Sequence, residues 1–395
     1  MSNRIVSYFK EFRKLPVSVK LAVIYLSIIL FFSLFAGALA NDVPLFVWQK
    51  GNFTLPILNR TAYLSKNNDQ FTGSVFTINT PISFYYSSQD QKAGVVKPFS
   101  KGFINGTTQT HWLGTDTYNR DVLAGLIHGS KIAIWVGLIA SLLSALIGLL
   151  LGSMAGYNHN SPLIMNKYSL IATGILLFIF WYLFIWNPYL FYQGNWFLRF
   201  ILLYSLLRLF IFGIKISMRT AKPGKNAINF PVDTIIMKTM EIFQSVPGLF
   251  LLICLITVFG STSIIKLSLL IALLRWTSFT RLVRGETIKI KNSEYILSAR
   301  ALGIPDRLII YNHIWPNLFR QLLIAFSYGV GTAVLLEASL SFLGLGLPPD
   351  MVSWGSLLSQ SRLQIDVWWL AVFPGLMISL LIASCYRVGS YLIEK

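Results

Sequence analysis

The chain has 395 residues, 54% of them hydrophobic and 12% charged, with a mean hydropathy of +0.62. That composition excludes a soluble globular domain and reads as an all-α, polytopic membrane protein. A formal net charge of +18 would suit nucleic acid. The Lys and Arg, however, sit mostly in short loops between apolar runs, the positive-inside pattern, so the bilayer is the expected partner and nucleic acid is not. Cys254 and Cys385 both fall in apolar runs and read as buried, inert thiols.

Residues 1–20 form a basic lead with Arg4, Lys10, Arg13, Lys14 and Lys20, and residues 21–40 are almost wholly apolar. About twenty such residues cross ~30 Å of hydrocarbon. The run is long for a signal peptide, so residues 1–40 read as a cytoplasmic lead and a retained first span. Residues 41–131 are polar, Asn-, Ser- and Thr-rich, and form a long extracytoplasmic loop in which patches such as SVFTIN alternate like strands. Asp116 and Asp121 flank Arg120. Acid–base work is one reading of the pair, and a helix cap with local ion pairs is the plainer one.

Residues 132–157 are the second span. Ser144, Gly148, Gly152 and Gly156 recur every four residues, a face of small side chains that another helix backbone can approach closely. Two further apolar runs, 168–186 and 196–217, are followed by the basic stretch with Lys215, Arg219, Lys222 and Lys225. Residues 158–230 therefore read as an inserted transmembrane hairpin and a basic cytoplasmic loop, which leave the downstream orientation unchanged. Residues 233–259 and 264–282 make the next two spans around a tight turn. Arg275 in the second must snorkel, face a water-filled cavity or meet a substrate carboxylate, because a charge facing lipid is costly.

Residues 294–317, EYILSARALGIPDRLIIYNHIWPN, are a polar interlude. Ser293 is placed to cap a short helix that Glu294 opens, Gly303 to end it in the left-handed conformation, and Pro305 to prevent its continuation. Asp306 is placed to cap a second helix, which should stop or kink before Pro316. Ile296, Leu297, Ala301 and Leu302, with Arg300 beside them, would give the first helix a partly apolar face suited to a partner's groove. Residues 318–343 are a further span. Glu337 lies seventeen residues beyond Arg320, about 25 Å along the axis, in the outer part of the bilayer. A carboxylate there marks a pathway or a structural partner. Residues 344–366 make an extracytoplasmic turn with a short amphipathic segment, and 367–388 return, kinked near Pro374, to the cytoplasm.

Three stretches resemble the permeases of ATP-binding cassette (ABC) importers of the dipeptide/oligopeptide/nickel type. They are HWLGTDTYNRDVLAGLIHGSKIA from His111, SARALG followed nine residues later by HIWP, and LLEASLSFLGLGLPPDMVSWGSLLSQSR from Leu335. Trp315 stands where that family usually has Leu, and the resemblance lapses over about 158–230. It implies a type I importer permease with a six-helix core in a bacterial inner membrane, both termini cytoplasmic. With the inserted hairpin, the expected total is about eight spans. It implies peptide import, with nickel or another small ligand as the alternative cargo. The implied partners are a cytoplasmic ATPase, a second homologous permease and an extracytoplasmic substrate-binding protein. Glu294, Ser298, Ala299, Arg300, Ala301, Leu302, Gly303, Pro305, Asp306 and Pro316 would couple to the ATPase.

No GxxxxGK[ST] phosphate loop exists here, so ATP and Mg would belong to the ATPase, and this chain would bind no cofactor and catalyse nothing itself. The four histidines have no metal-ligand spacing, so no metal site is expected. A different class, an ion-coupled carrier or a membrane-embedded enzyme, would need clustered ionisable residues at membrane depth, where the sequence has chiefly Glu337 and Arg275.

Overall fold

A computed structural model describes residues 15–49, 52–58, 60, 76–90, 94–104, 107–159, 163–166, 168, 171, 174–175, 208, 227–260, 263–362, 364 and 366–394. The proposed hairpin runs 168–186 and 196–217, the basic stretch after them and the first fourteen residues lie almost wholly outside these. Among the described residues, four helices are long and apolar enough to cross a membrane, and a bent pair is a fifth candidate.

α1 (Val17–Leu39) is the first. It leads into a small β-rich lobe. β1 (Phe46–Gln49) pairs antiparallel with β2 (Asn52–Thr54) and β3 (Phe76–Ile78), the last inside the SVFTIN patch. β4 (Ser100–Ile104) and β5 (Thr107–His111) form a hairpin. α2 (Val122–Tyr157) follows, 36 residues long. It starts ten residues before the expected span at 132, so part of the supposed loop is helical. The cause is local: Asp121 caps it, accepting from Ala124 N at 2.7 Å.

β6 (Leu163–Asn166) and β7 (Ala227–Phe230) pair antiparallel and bring together the two ends of residues 167–226. α3 (Val232–Ser245) and α4 (Gly248–Phe259) replace the single helix expected over 233–259; their axes differ by 86°. Pro247 has no N–H to give and forces Val246 into an extended conformation, φ −100° and ψ 131°, so the helix must stop and restart. α5 (Ile264–Lys291) is one 28-residue helix. Cys254 in α4 is exposed rather than buried, while Cys385 is buried as expected.

α6 (Glu294–Ala301), α7 (Asp306–Ile309) and a π-helical turn (Ile310–Ile314) lead into α8 (Trp315–Phe342). α9 (Trp354–Gln360) is short, and α10 (Trp369–Glu394) is the last helix, with Pro374 inside its first two turns. α9 folds back onto the start of α2. Trp354 is buried and donates Nε1 to Leu126 O at 2.8 Å, and Gln360 accepts from Thr117 Oγ1 at 2.7 Å. One core joins α1, α2, α8, α9 and α10, and a second joins α2, α4, α5 and α8. α2 is the central pillar, since it contributes to both.

α2 lies against α5 through its small-residue face. A Cβ added to Gly148 would come within 2.4 Å of Phe279 Cβ. At Gly152 it would meet Thr280 O at 2.7 Å, and at Gly156 Arg284 O at 2.7 Å. Ser144, one turn earlier, donates to Ala140 O at 2.8 Å and reaches Ala272 O at 3.3 Å. The two backbones therefore touch over three turns, which only glycine permits. At the far end from the β-lobe, Arg284 grips Asp233 through Nε at 2.5 Å and Nη2 at 2.7 Å, tying α5 to the start of α3.

Candidate functional site

At that same far end, residues 294–317 form a largely exposed segment. Ser293 occupies the N-cap of α6, but its hydroxyl does not cap. It donates back to Ile290 O at 2.6 Å. The C-terminus ends as the sequence requires. Gly303 has φ +78°, its N–H donates to Arg300 O at 3.0 Å, and Ile304 N–H donates to Ala299 O at 3.2 Å. This paired bonding satisfies the last carbonyls and aims the chain at Pro305.

Pro305, not Asp306, is the N-cap of α7. Asp306 spends its carboxylate elsewhere: it accepts from the Tyr157 hydroxyl, and Arg300 Nε lies 3.8 Å from it. The second α-helix does end before Pro316, at Ile309, but the chain stays helical beyond it. Between Ile310 and Ile314 the turns widen, and Trp315 N–H bonds to Ile310 O, five residues back. The wider turn accommodates a proline that lacks its own donor, and the helix runs on into α8.

Tyr157 is the anchor, and sequence reasoning missed it. It ends α2 directly after Gly156. Its hydroxyl donates to Asp306 and accepts from Arg300 Nη2 at 2.8 Å, while its carbonyl accepts from Lys291 Nζ at 2.6 Å. The Arg300 guanidinium carbon and Lys291 Nζ stand 5.3 and 5.2 Å from the ring centre, within cation–π range. The bond to Tyr157, more than any other cause, holds the Arg300 pKa above its ordinary value, whereas burial and then Arg300 pull the Lys291 ammonium down. Beneath this polar layer Ile296, Ile309, Ile314 and Leu318 are fully buried against Tyr157 and Val283. Trp315 donates Nε1 to Ser153 Oγ at 3.3 Å, a bond the family's usual Leu could not make.

The proposed docking residues therefore divide. Ile296 and Ala299 face inward and hold the segment. Glu294, Ser298, Arg300, Ala301, Leu302, Gly303, Pro305, Asp306 and Pro316 are exposed. Leu302, at 82% exposure, stands out furthest, with Tyr295, Leu297, Leu308 and Tyr311 around it. An exposed apolar ridge on a rigid support is the usual sign of a partner surface.

The other sequence candidates lie apart from this segment. Asp116 accepts Arg120 Nε at 2.9 Å and two backbone N–H groups, and Asp121 caps α2, so both act as local braces. Glu337 is 1% exposed inside α8. It accepts from Ser341 Oγ at 2.7 Å, one turn along the same helix. Arg275 is half-buried on α5, and its Nε has no hydrogen-bond partner among the described residues. It sits about 16 Å along that helix from Ile264, at 1.5 Å per residue. Among the described residues no group of His, Cys, Asp and Glu is arranged to hold a metal ion.

Residues 213–395, which include all of 294–317, match the family described as binding-protein-dependent transport system inner membrane component. Over that stretch the chain is similar to this family. Its similarity extends further in curated relatives. A glutathione transport system permease protein, GsiD, of Pectobacterium atrosepticum is 27% identical over 285 residues, 72% of this chain and 71% of the relative. A dipeptide transport system permease protein, DppC, of Alkalihalophilus pseudofirmus is 26% identical over 287 residues, 72% and 71% of the two chains. An oligopeptide transport system permease protein, OppC, of Haemophilus influenzae is 27% identical over 307 residues, 78% and 74%. These agree with the resemblance carried by the three motifs.

Proposed function

We propose that this permease forms half of the translocation pathway of an ATP-driven peptide importer and that residues 294–317 couple it to a separate cytoplasmic ATPase. The observation that carries this reading is the docking segment itself: an exposed apolar ridge ending at Leu302, held on the end of α2 by Tyr157, Arg300 and Asp306. A push on the ridge reaches Asp306 and Tyr157 directly. From there it passes into α2, whose glycine face moves with α5 because their backbones are in contact. In this reading the docking end lies in the cytoplasm with both termini, and the β-lobe faces the substrate-binding protein. A second homologous permease completes the pore. Peptide is the cargo favoured by relatives named for glutathione, dipeptide and oligopeptide transport. The ATP and Mg belong to the ATPase.

The test is mild purification of the tagged chain from its host, comparing wild type with Gly303→Pro and Asp306→Lys. The proposal expects an ATPase and a second permease to accompany wild type. Both variants should insert stably while losing the ATPase and substrate uptake. Stable variants that keep normal uptake would refute the docking assignment, and a wild-type chain that purifies alone under several mild conditions would refute the importer reading.

A further inference from the structure

Where α1 meets α2 at the β-lobe end, the wall of the bundle opens into a cavity of about 480 Å³. That is the size range of small-ligand sites. His128 Nε2 lies 2.9 Å from Ala40 O and sets the two helices level. From that level Lys131 is about 4.5 Å deeper along α2, and Ser33 and Trp135 are each about 10 Å deeper, at 1.5 Å per residue.

The cavity wall is graded. Its upper part carries Arg60, Tyr85 and Lys131, and its lower part Leu34, Ile132 and Trp135. Among the described residues no Asp or Glu lines it. Arg60 is neutralised by Asp42, with Nε and Nη2 donating at 2.7 and 2.6 Å, and lies 4.1 Å above the Tyr85 ring. Lys131 is exposed and has no such carboxylate among the described residues. Ser33 is 4% exposed, and its hydroxyl has no hydrogen-bond partner among the described residues. An unpaired cation and an unpaired buried hydroxyl on one wall call for an acceptor-rich, negatively charged occupant.

The lower wall says which kind. Leu34 is 64% exposed and Trp135 42% exposed, and the exposed apolar surface continues into Phe31, Phe35 and Leu138. A soluble anion has no use for that surface, whereas an acyl chain does. Tryptophan one turn below a lysine is also the arrangement found where helices cross the membrane–water interface. We propose that this cavity binds an anionic phospholipid, its phosphate at Lys131, its ester region at Ser33 and its chains along Leu34 and Trp135. The site is independent of what the permease transports.

The test uses the full chain with whatever subunits it retains in mild detergent. Native mass spectrometry counts bound phosphatidylglycerol during a titration, with phosphatidylcholine and inorganic phosphate in separate arms. Two variants are compared with wild type. Lys131→Gln removes the free charge. Gly37→Leu fills the cavity from α1, where an added Cβ meets no atom within 4 Å, so the helix tolerates it. Wild type should prefer phosphatidylglycerol over phosphatidylcholine. Each variant should lower its affinity by roughly tenfold, the effect of one lost charge-assisted contact. Equal retention of phosphatidylglycerol by wild type and Gly37→Leu overturns the proposal. So does equal retention of the two lipids, or displacement by inorganic phosphate. Weakened substrate uptake with unchanged lipid retention would make the cavity a substrate vestibule instead.

Discussion

His111 shows how much a single side chain can carry in the β-lobe. It is 0% exposed, stacked on Phe84 at 4.2 Å, with Asp121 2.8 Å from Nδ1 and Asp90 3.4 Å from Nε2. Burial lowers its pKa, but the hydrogen bond and charge of Asp121, and then those of Asp90, outweigh it and raise the imidazole above 6.5. A group raised in the folded state contributes stability that is fully present below its unfolded value and is lost as pH rises through the folded one. The lobe should therefore unfold or become protease-sensitive more readily as pH climbs above 6.5, measured by limited proteolysis across a pH series. His111→Gln should flatten that dependence. Glu337 poses a different question at the same scale. Its bond to Ser341 fits a structural role inside α8. Glu337→Gln, which keeps an acceptor, should retain both thermal stability and uptake. Glu337→Ala should cost about 1–3 kcal/mol by leaving the buried Ser341 hydroxyl unmatched. Loss of uptake in a stable Glu337→Gln protein would instead place the carboxylate in the transport pathway.

At the scale of elements, the contact between α2 and α5 is close enough for a single substitution to probe it. Gly152→Leu would drive a side chain into Thr280 O and Val283, which stand 2.7 Å from even an added Cβ. Overpacking of this kind typically costs ~1–3 kcal/mol, and the carbonyl cannot retreat, so a marked fall in the melting temperature in detergent is expected. Gly174→Leu, whose added Cβ meets nothing within 4 Å, is the control and should leave the melting temperature in place. The docking segment works by opposite means. It relies on backbone geometry at Gly303 and on the widened turn before α8, not on close contact. Gly303→Ala places a Cβ at φ +78°, a strain of about 1–2 kcal/mol. In the proposed coupling it should weaken ATPase binding without changing insertion, a milder form of the Gly303→Pro effect. Co-purification yields distinguish the two.

For the whole molecule, the pairing of β6 with β7 sets what residues 167–226 can do to the rest. Asn166 and Ala227 are direct partners in the ladder, so the segment leaves and rejoins the bundle at one place. Replacing 167–226 by a two-residue Asn-Gly turn, the connection favoured for antiparallel strands, should therefore leave α2, α3 and α5 in register. The shortened chain should insert and co-purify with its partners, as judged by membrane fractionation and pull-down. Failure to insert would show that the segment is needed for orientation, as the positive-inside rule would require if its basic stretch holds the loop in the cytoplasm.

Apolar run length and loop charge, which are local quantities, were enough to identify a multi-pass membrane chain. Three motifs carried the resemblance to binding-protein-dependent permeases, and the similar relatives agree with it. Gly303 and Pro305 act where the sequence placed them because a left-handed residue and a missing N–H act within one or two positions. The same locality explains the break at Pro247, whose mark was present at Val246–Pro247–Gly248 but was hidden inside a long apolar run. Tertiary structure decided the rest. Ser293 and Asp306 are both good caps by residue type, yet both side chains found better partners, Ile290 O in one case and Tyr157 in the other. Nothing near Tyr157 in the chain announces its role, because Arg300 and Asp306 lie more than 140 positions away. Likewise Ile296 reads as a docking residue and is in fact buried. Which face of a short helix meets solvent is set by the helix it packs on, and no local pattern over eight residues encodes that.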